Sequence, residues 1–227
     1  MSASRPSPSS GAAGFAARRT GRVLPHRFYA RPTLDVAAEL LGKLLVHRSP
    51  AGESRGVIVE VEAYIGEDDP ACHAAPGPTR RNRPLYGPPG HAYVYLNYGI
   101  HALVNVVTEP DGSPAAILIR ALEPVSGVPL MRRRRMRAGK GMHPMRADAP
   151  DAELCRGPGN LTRAMGITLR DNEVDLTGTR LFIADEGRSV EGITWSPRIG
   201  IRVGTDLAWR CYVAGSRAVS GKRSGAS

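Results

Sequence analysis

This chain of 227 residues is short of lysine, cysteine and aromatic side chains, and each shortage removes a class of explanation. Lysine occurs three times, at Lys43, Lys140 and Lys222, among 31 basic residues. None stands near the segments that carry chemistry below, so a Schiff-base mechanism has no candidate amine. The three cysteines, Cys72, Cys155 and Cys211, are odd in number and widely spaced, unlike the paired framework of a small secreted scaffold, and a reducing compartment is expected. Apolar runs end after a handful of residues, far below the roughly 20 that a membrane-spanning helix needs. His73, His91, His101 and His143 show no HxxxH spacing and the cysteines no CxxC, so no metal site is expected. Without a GxSxG motif, a GxGxxG after a strand or a Walker lysine, neither a serine nucleophile nor a nucleotide cofactor is supported. No cofactor is expected.

What is abundant is arginine. The formal net charge is +10, and its placement is uneven. Residues 1–34 hold six arginines (Arg5, Arg18, Arg19, Arg22, Arg27, Arg31) and no acid. The segment 132–146 holds Arg132, Arg133, Arg134, Arg135, Arg137, Lys140 and Arg146, again with no acid. The rest of the chain is slightly acidic, so the basicity is confined to two blocks. Such blocks attract polyphosphate through counterion release, and a solvated or disordered stretch explains each block equally well when taken alone.

The length suits one domain with a real core. Residues 1–22, rich in Ser, Ala, Gly, Pro and Arg, are expected to form a disordered basic arm. Their composition also matches organelle transit peptides, although no amphipathic stripe is present. A folded domain is expected over 23–219 and a flexible tail over 220–227. Thr33 is placed to cap a helix whose Leu34, Ala37, Leu40 and Leu41 recur at helical spacing, ended by Gly42 before a strand at 43–47. In the β-branched run 57–61, a period of two puts Val57, Val59 and Val61 on one face and Ile58, Glu60, Glu62 and Tyr64 on the other. Residues 67–89 read as one long functional loop. Two strands within 92–107 meet at Asn97, Tyr98 and Gly99 in a hairpin. Further strands are expected at 115–122, 181–184, 198–203 and 211–214, with a helix near 161–165 after Gly157, Pro158 and Gly159. The resulting class is α+β: a single domain with a mixed, mostly antiparallel curved sheet, flanking helices and a protruding β-hairpin.

Among these elements, Glu62 stands out as a carboxylate on a strand with Tyr64 two residues on, just before the loop that brings His73. A solvated strand face accounts for Glu60 and Glu62 as well. Tyrosine discriminates: Tyr64, Tyr86, Tyr93, Tyr95 and Tyr98 are five of the seven tyrosines in a chain with 5% aromatics. Tyr93 and Tyr95 share a strand face, and Tyr98 at the turn is hard to bury within its own hairpin. Flat side chains beside cationic ones, here Arg80, Arg81 and Arg83, suit unstacked bases.

The residues also match a known pattern. VEVEAYIG at 59–66 with Asp69, Ala71 and His73, then RNR at 81–83, YVYLNYGIHALVN at 93–105, IRALEP at 119–124, LCRGP at 154–158 and SPRIGI at 196–201 follow one another at family separations. In this the chain, from about Val23 to Ser220, resembles the alkyladenine (3-methyladenine) DNA glycosylases, which remove damaged purines from duplex DNA. The resemblance implies that Glu62 activates the attacking water and that Arg120 organises the site around it. It implies a base pocket of Tyr64, His73, Tyr95 and Asn105, with Asn105 disfavouring the 2-amino group of guanine. Tyr98 would enter the minor groove and fill the gap in the stack. Arg81, Arg83 and the backbone at Gly157 and Gly159 would meet the DNA backbone. The implied partner is damaged duplex DNA, met by a monomer in the cytoplasm or nucleus and away from membranes, in base excision repair. Two other readings stay open: a basic nucleic-acid-binding module with a merely solvated Glu62, and a small-molecule hydrolase using Glu62 and His73 as base and acid.

Overall fold

The computed structural model describes residues 21–137 and 143–221. Most of the expected basic arm (1–20), residues 138–142 with Lys140, and tail residues 222–227 lie outside the described residues. In chain order the elements are β1 (Arg22–Val23), α1 (His26–Tyr29), α2 (Thr33–Leu40), β2 (Leu44–Ser49), β3 (Gly52–Ile65), β4 (Ala92–Asn97), β5 (His101–Val107) and β6 (Ala115–Ser126). They continue with α3 (Val128–Met136), α4 (Pro158–Met165), β7 (Leu181–Asp185), β8 (Ile193–Ser196) and β9 (Arg210–Val213). Every pairing among these strands is antiparallel, the limiting case of the mostly antiparallel sheet expected. The strand order is β1-β7-β2-β3-β6-β5-β4, with β8 joined to β9 and β9 to β3.

The fold turns on β3. Its 14 residues take β2 along the first part and β9 at Glu60–Glu62, while β6 runs along the other edge. The register against β6 shifts between Ile58 and Glu60, the mark of a β-bulge. A bulge breaks the strict alternation read from the sequence. Val61 consequently joins Ile58 in the main core, whereas Val57 and Val59 belong to a second cluster with Leu44, Val46 and Tyr212.

The main core lies between the sheet and the helices. In α2 the buried apolar residues are Val36, Ala37 and Leu40, Thr33 is buried with them, and Leu34 is only half-buried. Thr33 is the first helical residue rather than the cap. Its N–H and Oγ1 both donate to Glu109 Oε1 at 2.7 Å, tying α2 to the end of β5. Gly42, at φ 85°, then turns the chain into β2. The expected strand at 198–203 is absent: Pro197 lacks an N–H for a ladder, and Gly200 at φ 80° bends the chain. Strand β8, not anticipated, pairs with β9 just before it.

The loop between β3 and β4 is anchored at a few buried side chains. Cys72, Ala74 and Leu85 bury against Tyr93, Val107 and Ala116 in a third cluster. Each fully buried side chain of Leu size contributes roughly 1.5–3 kcal/mol, so the loop is held as a fixed wall.

Candidate active site

The β4–β5 hairpin ends in a three-residue connection, 98–100, where the Ile100 N–H closes a turn onto the Asn97 carbonyl and the central residues of that turn, Tyr98 and Gly99, have φ of 50° and 67°. Positive φ at both positions matches the right-handed twist of the flanking strands. Glycine adopts it freely, but for tyrosine it costs roughly 1–2 kcal/mol. The ring recovers nothing by packing, being 85% exposed. A strained and exposed aromatic points to a role outside the fold.

Behind the hairpin, Glu60 and Glu62 of β3 are fully buried, which eliminates the solvated strand face for this pair. Glu60 and Glu62, two residues apart on the strand, reach the same arginine. Arg120 of β6 donates Nε to Glu60 Oε1 at 3.0 Å, Nη1 to Glu62 Oε2 at 3.1 Å and Nη2 to Ser220 Oγ at 3.1 Å. Burial alone would lower the Arg120 pKa, but the charges of Glu62 and Glu60 raise it overall and the guanidinium stays charged. Glu62 Oε2 also accepts from Tyr64 Oη at 2.9 Å, and Oε1 from the Ile199 N–H at 2.7 Å. Three donors thus fix this carboxylate, and Oε1 keeps a lone pair in reserve. Glu60 is held further by Arg210 Nε at 2.8 Å, the Ser220 N–H at 2.6 Å and Ser220 Oγ at 2.9 Å. Ser220, expected at the head of a loose tail, is instead locked into this network because its polar atoms meet buried charges.

Next to Glu62 opens a cavity of about 340 Å³ lined by Tyr64, His73, Tyr95, Tyr98, Asn105 and Arg120, among others. Glu62 forms the layer directly beneath, and its three donors Tyr64, Arg120 and Ile199 all belong to the wall. His73 and Tyr95 meet edge to face at 4.4 Å, and Tyr93 lies 5.3 Å from Tyr95. His73 Nδ1 and Tyr93 Oη are 2.9 Å apart, and Asn105 Nδ2 donates to the Tyr93 carbonyl at 3.0 Å, which orients its amide. Burial, with the nearby Arg81 charge, lowers the His73 pKa, so the ring is neutral at pH 7. Burial pushes the phenols of Tyr93 and Tyr95 up to about 12 and Tyr64 higher still. The pocket offers uncharged aromatic surface above a charged floor.

Residues unremarked in the sequence hold this wall. Asp69, in the long loop, accepts two bonds from Arg198, at 2.5 and 2.8 Å, with both side chains fully buried. The Arg198 guanidinium stacks 4.7 Å from the Tyr64 ring and donates to the Ala63 carbonyl at 3.0 Å, fixing the tyrosine that touches Glu62. Buried Asn82, the middle residue of RNR, donates to the carbonyls of His73 and Gly77 and clasps the loop. Its arginine neighbours face outward. Arg81 lies 5.7 Å over Tyr95 and donates to the Leu96 carbonyl, and Arg83 is exposed. A burial rule does find Asn82 and Arg198 once a fold is in hand, but no local spacing pairs residues 129 apart.

At α4, Gly157 precedes Pro158 with φ 90°, and Pro158 borders the cavity. A Cβ on Gly159 would meet the His101 ring at 3.0 Å, so the glycine permits close helix packing. The arginine run on α3 is mostly structural. Arg132 binds the carbonyls of Ala147 and Ala149 and the Asp151 carboxylate. Arg134 Nη1 caps the end of α4 through the Ala164 and Met165 carbonyls, at 3.0 and 2.7 Å, and buried Arg135 bonds Asn160. Only Arg133 and Arg137 of the described run are exposed. Arg134 is drawn inward by the carbonyls that end α4, Arg132 by loop carbonyls and Asp151, and Arg135 by the Asn160 side chain, partners a charge count does not see. Among the described residues no group of three His, Cys, Asp or Glu side chains could hold a metal.

The model of the methylpurine-DNA glycosylase family matches residues 27–217. A protein of Chlorobium phaeobacteroides is 48% identical over 200 residues, covering 87% of this chain and 95% of its own length. Proteins of Methanocella arvoryzae and Burkholderia lata are each 47% identical, over 206 and 209 residues, covering 89% and 91% of this chain and 98% and 95% of their own. All three carry the description "Putative 3-methyladenine DNA glycosylase". The chain belongs to the methylpurine-DNA glycosylase family.

Proposed function

We propose that this protein is a monofunctional DNA glycosylase of base excision repair that extracts damaged purines from duplex DNA and hydrolyses the N-glycosidic bond with a water directed by Glu62. The observation that carries the reading is a fully buried carboxylate, oriented by three donors, directly under an aromatic cavity whose rim bears the exposed Tyr98. Extruding a purine costs a few kcal/mol of stacking, less for a damaged base. Stacking on Tyr64, Tyr95 and His73, at roughly 1–3 kcal/mol per base, and occupation of the gap by Tyr98 offset that cost.

In the reaction, water attacks the anomeric carbon as the bond to the ring nitrogen breaks with its electron pair. Glu62 Oε1 takes the water proton, and the carboxylate faces the positive charge that develops on the sugar. Arg120 and the Ile199 N–H hold the carboxylate still. An alkylated purine carries positive charge and leaves as a neutral base, so it is the favoured substrate over a neutral purine such as hypoxanthine, which also needs a proton. Among the described residues the only lysine is Lys43, bound to Asp185 at 2.7 Å, which favours hydrolysis without strand nicking. The test is free base released from duplexes bearing an alkylated purine, hypoxanthine or no lesion. Release from the undamaged duplex at the rate of the alkylated one would overturn the purine-damage reading, and so would a nicked strand without later base treatment.

A further inference from the structure

A second concavity, about 1180 Å³, shares the hairpin as a wall with the aromatic cavity. Tyr95, Asn97 and Tyr98 line the aromatic side, whereas Leu96, Ile100 and His101 line the other. The second groove is cationic: Arg48, Arg134, Arg163, Arg170 and Arg180 face one acid, Asp171, with His47 and His101 besides. Arg134 and Arg163 are committed to backbone carbonyls. Arg48 and Arg180 pair with Glu53 and Asp171, both at 2.7 Å, yet keep 43% and 52% of their side chains exposed. Arg170 is exposed, beside the 48% exposed Leu169.

We propose that this groove holds the sugar-phosphate backbone of the undamaged strand, with phosphates on Arg48, Arg170 and Arg180. The inference rests on the glycosylase reading. If Tyr98 takes the place of an extruded nucleotide, that nucleotide's strand lies on the aromatic side of the hairpin, and the opposite face of the hairpin is turned to the remaining strand. An arginine rim over a part-apolar floor fits a chain of phosphates and sugars, and fits an uncharged ligand poorly.

The test measures binding of the full-length protein to one labelled oligonucleotide carrying an alkylated purine, single-stranded or annealed to its complement, over a range of salt. Arg48→Gln with Arg170→Gln should lower the salt slope on the duplex by about 2, one unit per lost phosphate contact, and leave the single-strand slope unchanged. Arg170→Gln alone, at an exposed site, should lower it by about 1 and guards against a folding defect. An unchanged duplex slope, or an equal loss on the single strand, would overturn the proposal. Because binding is read rather than turnover, a wild type that binds but releases no base would sink the glycosylase reading separately.

Discussion

Replacing Glu60 with glutamine exchanges one heavy atom, a carboxylate oxygen for an amide nitrogen, within a densely bonded network. The carboxylate is fully buried between Arg120 and Arg210 and accepts four bonds, from Arg120 Nε, Arg210 Nε, Ser220 N–H and Ser220 Oγ. Glutamine supplies one acceptor oxygen. Its amide nitrogen must point at another donor, whether at the Ser220 N–H or at a guanidinium. Removing one partner of a buried ion pair costs about 3–5 kcal/mol, because the remaining charges stay uncompensated. By contrast, the Arg31–Glu39 pair, with side chains 35% and 52% exposed, should contribute under about 1 kcal/mol. Against a total of about 5–15 kcal/mol, the loss at Glu60 is large, and for a chain of this size it corresponds to a Tm roughly 6–20 °C lower. Activity should fall as well, since Arg120 loses the anchor that aims Nη1 at Glu62. Urea unfolding of Glu60→Gln and of Glu39→Gln, run together, provides the assay. A Glu60→Gln loss below 1 kcal/mol, or no larger than that of Glu39→Gln, would refute the view that this network holds the site together.

Other outcomes follow from the same geometry. Tyr98→Ala should leave stability within about 0.5 kcal/mol, because the ring is exposed, but slow base release from a duplex far more than from a single strand, as single-turnover rates on the two substrates would record. Arg134→Met should cost about 2–3 kcal/mol in denaturant unfolding by uncapping α4, while the salt slope of DNA binding stays as in the wild type. Burial raises the Asp171 pKa, but bonds to His47 and Thr168 and the Arg180 charge bring it below its usual value overall. Its contribution is therefore present above about pH 4 and lost as the pH falls through the lower folded-state value, so Asp171→Asn should flatten the acid limb of the stability profile.

The hairpin, α2 and most strands were legible because their signals are local: alternating apolar residues, a turn of Tyr98 and Gly99, a helical run of Leu34, Ala37, Leu40 and Leu41, the last three of which are buried. Tyr64 and Tyr95 were legible in a cluster of tyrosines after a strand carboxylate, whereas Asn105 and Arg120 stood out only through the resemblance; the structure gathers Tyr64, His73, Tyr95, Asn105 and Arg120 around one cavity. Hidden from the sequence was whatever depends on distant partners. Nothing between residues 57 and 61 announces the bulge, which sends Val61 into one core cluster and Val57 and Val59 into another. Arg198 looks like one more positive charge until Asp69 meets it. Ser220 belongs by composition to a polar tail, and only the burial of Glu60 and Arg210 gives it bonding partners.

The central claim is that Glu62 directs the attacking water. Its most direct measurement is the single-turnover rate of base release from a duplex carrying an alkylated purine, with wild type and Glu62→Gln compared at equal DNA occupancy. The account predicts a fall of roughly 10²–10⁴-fold with duplex affinity retained. Release at the wild-type rate by Glu62→Gln would contradict it.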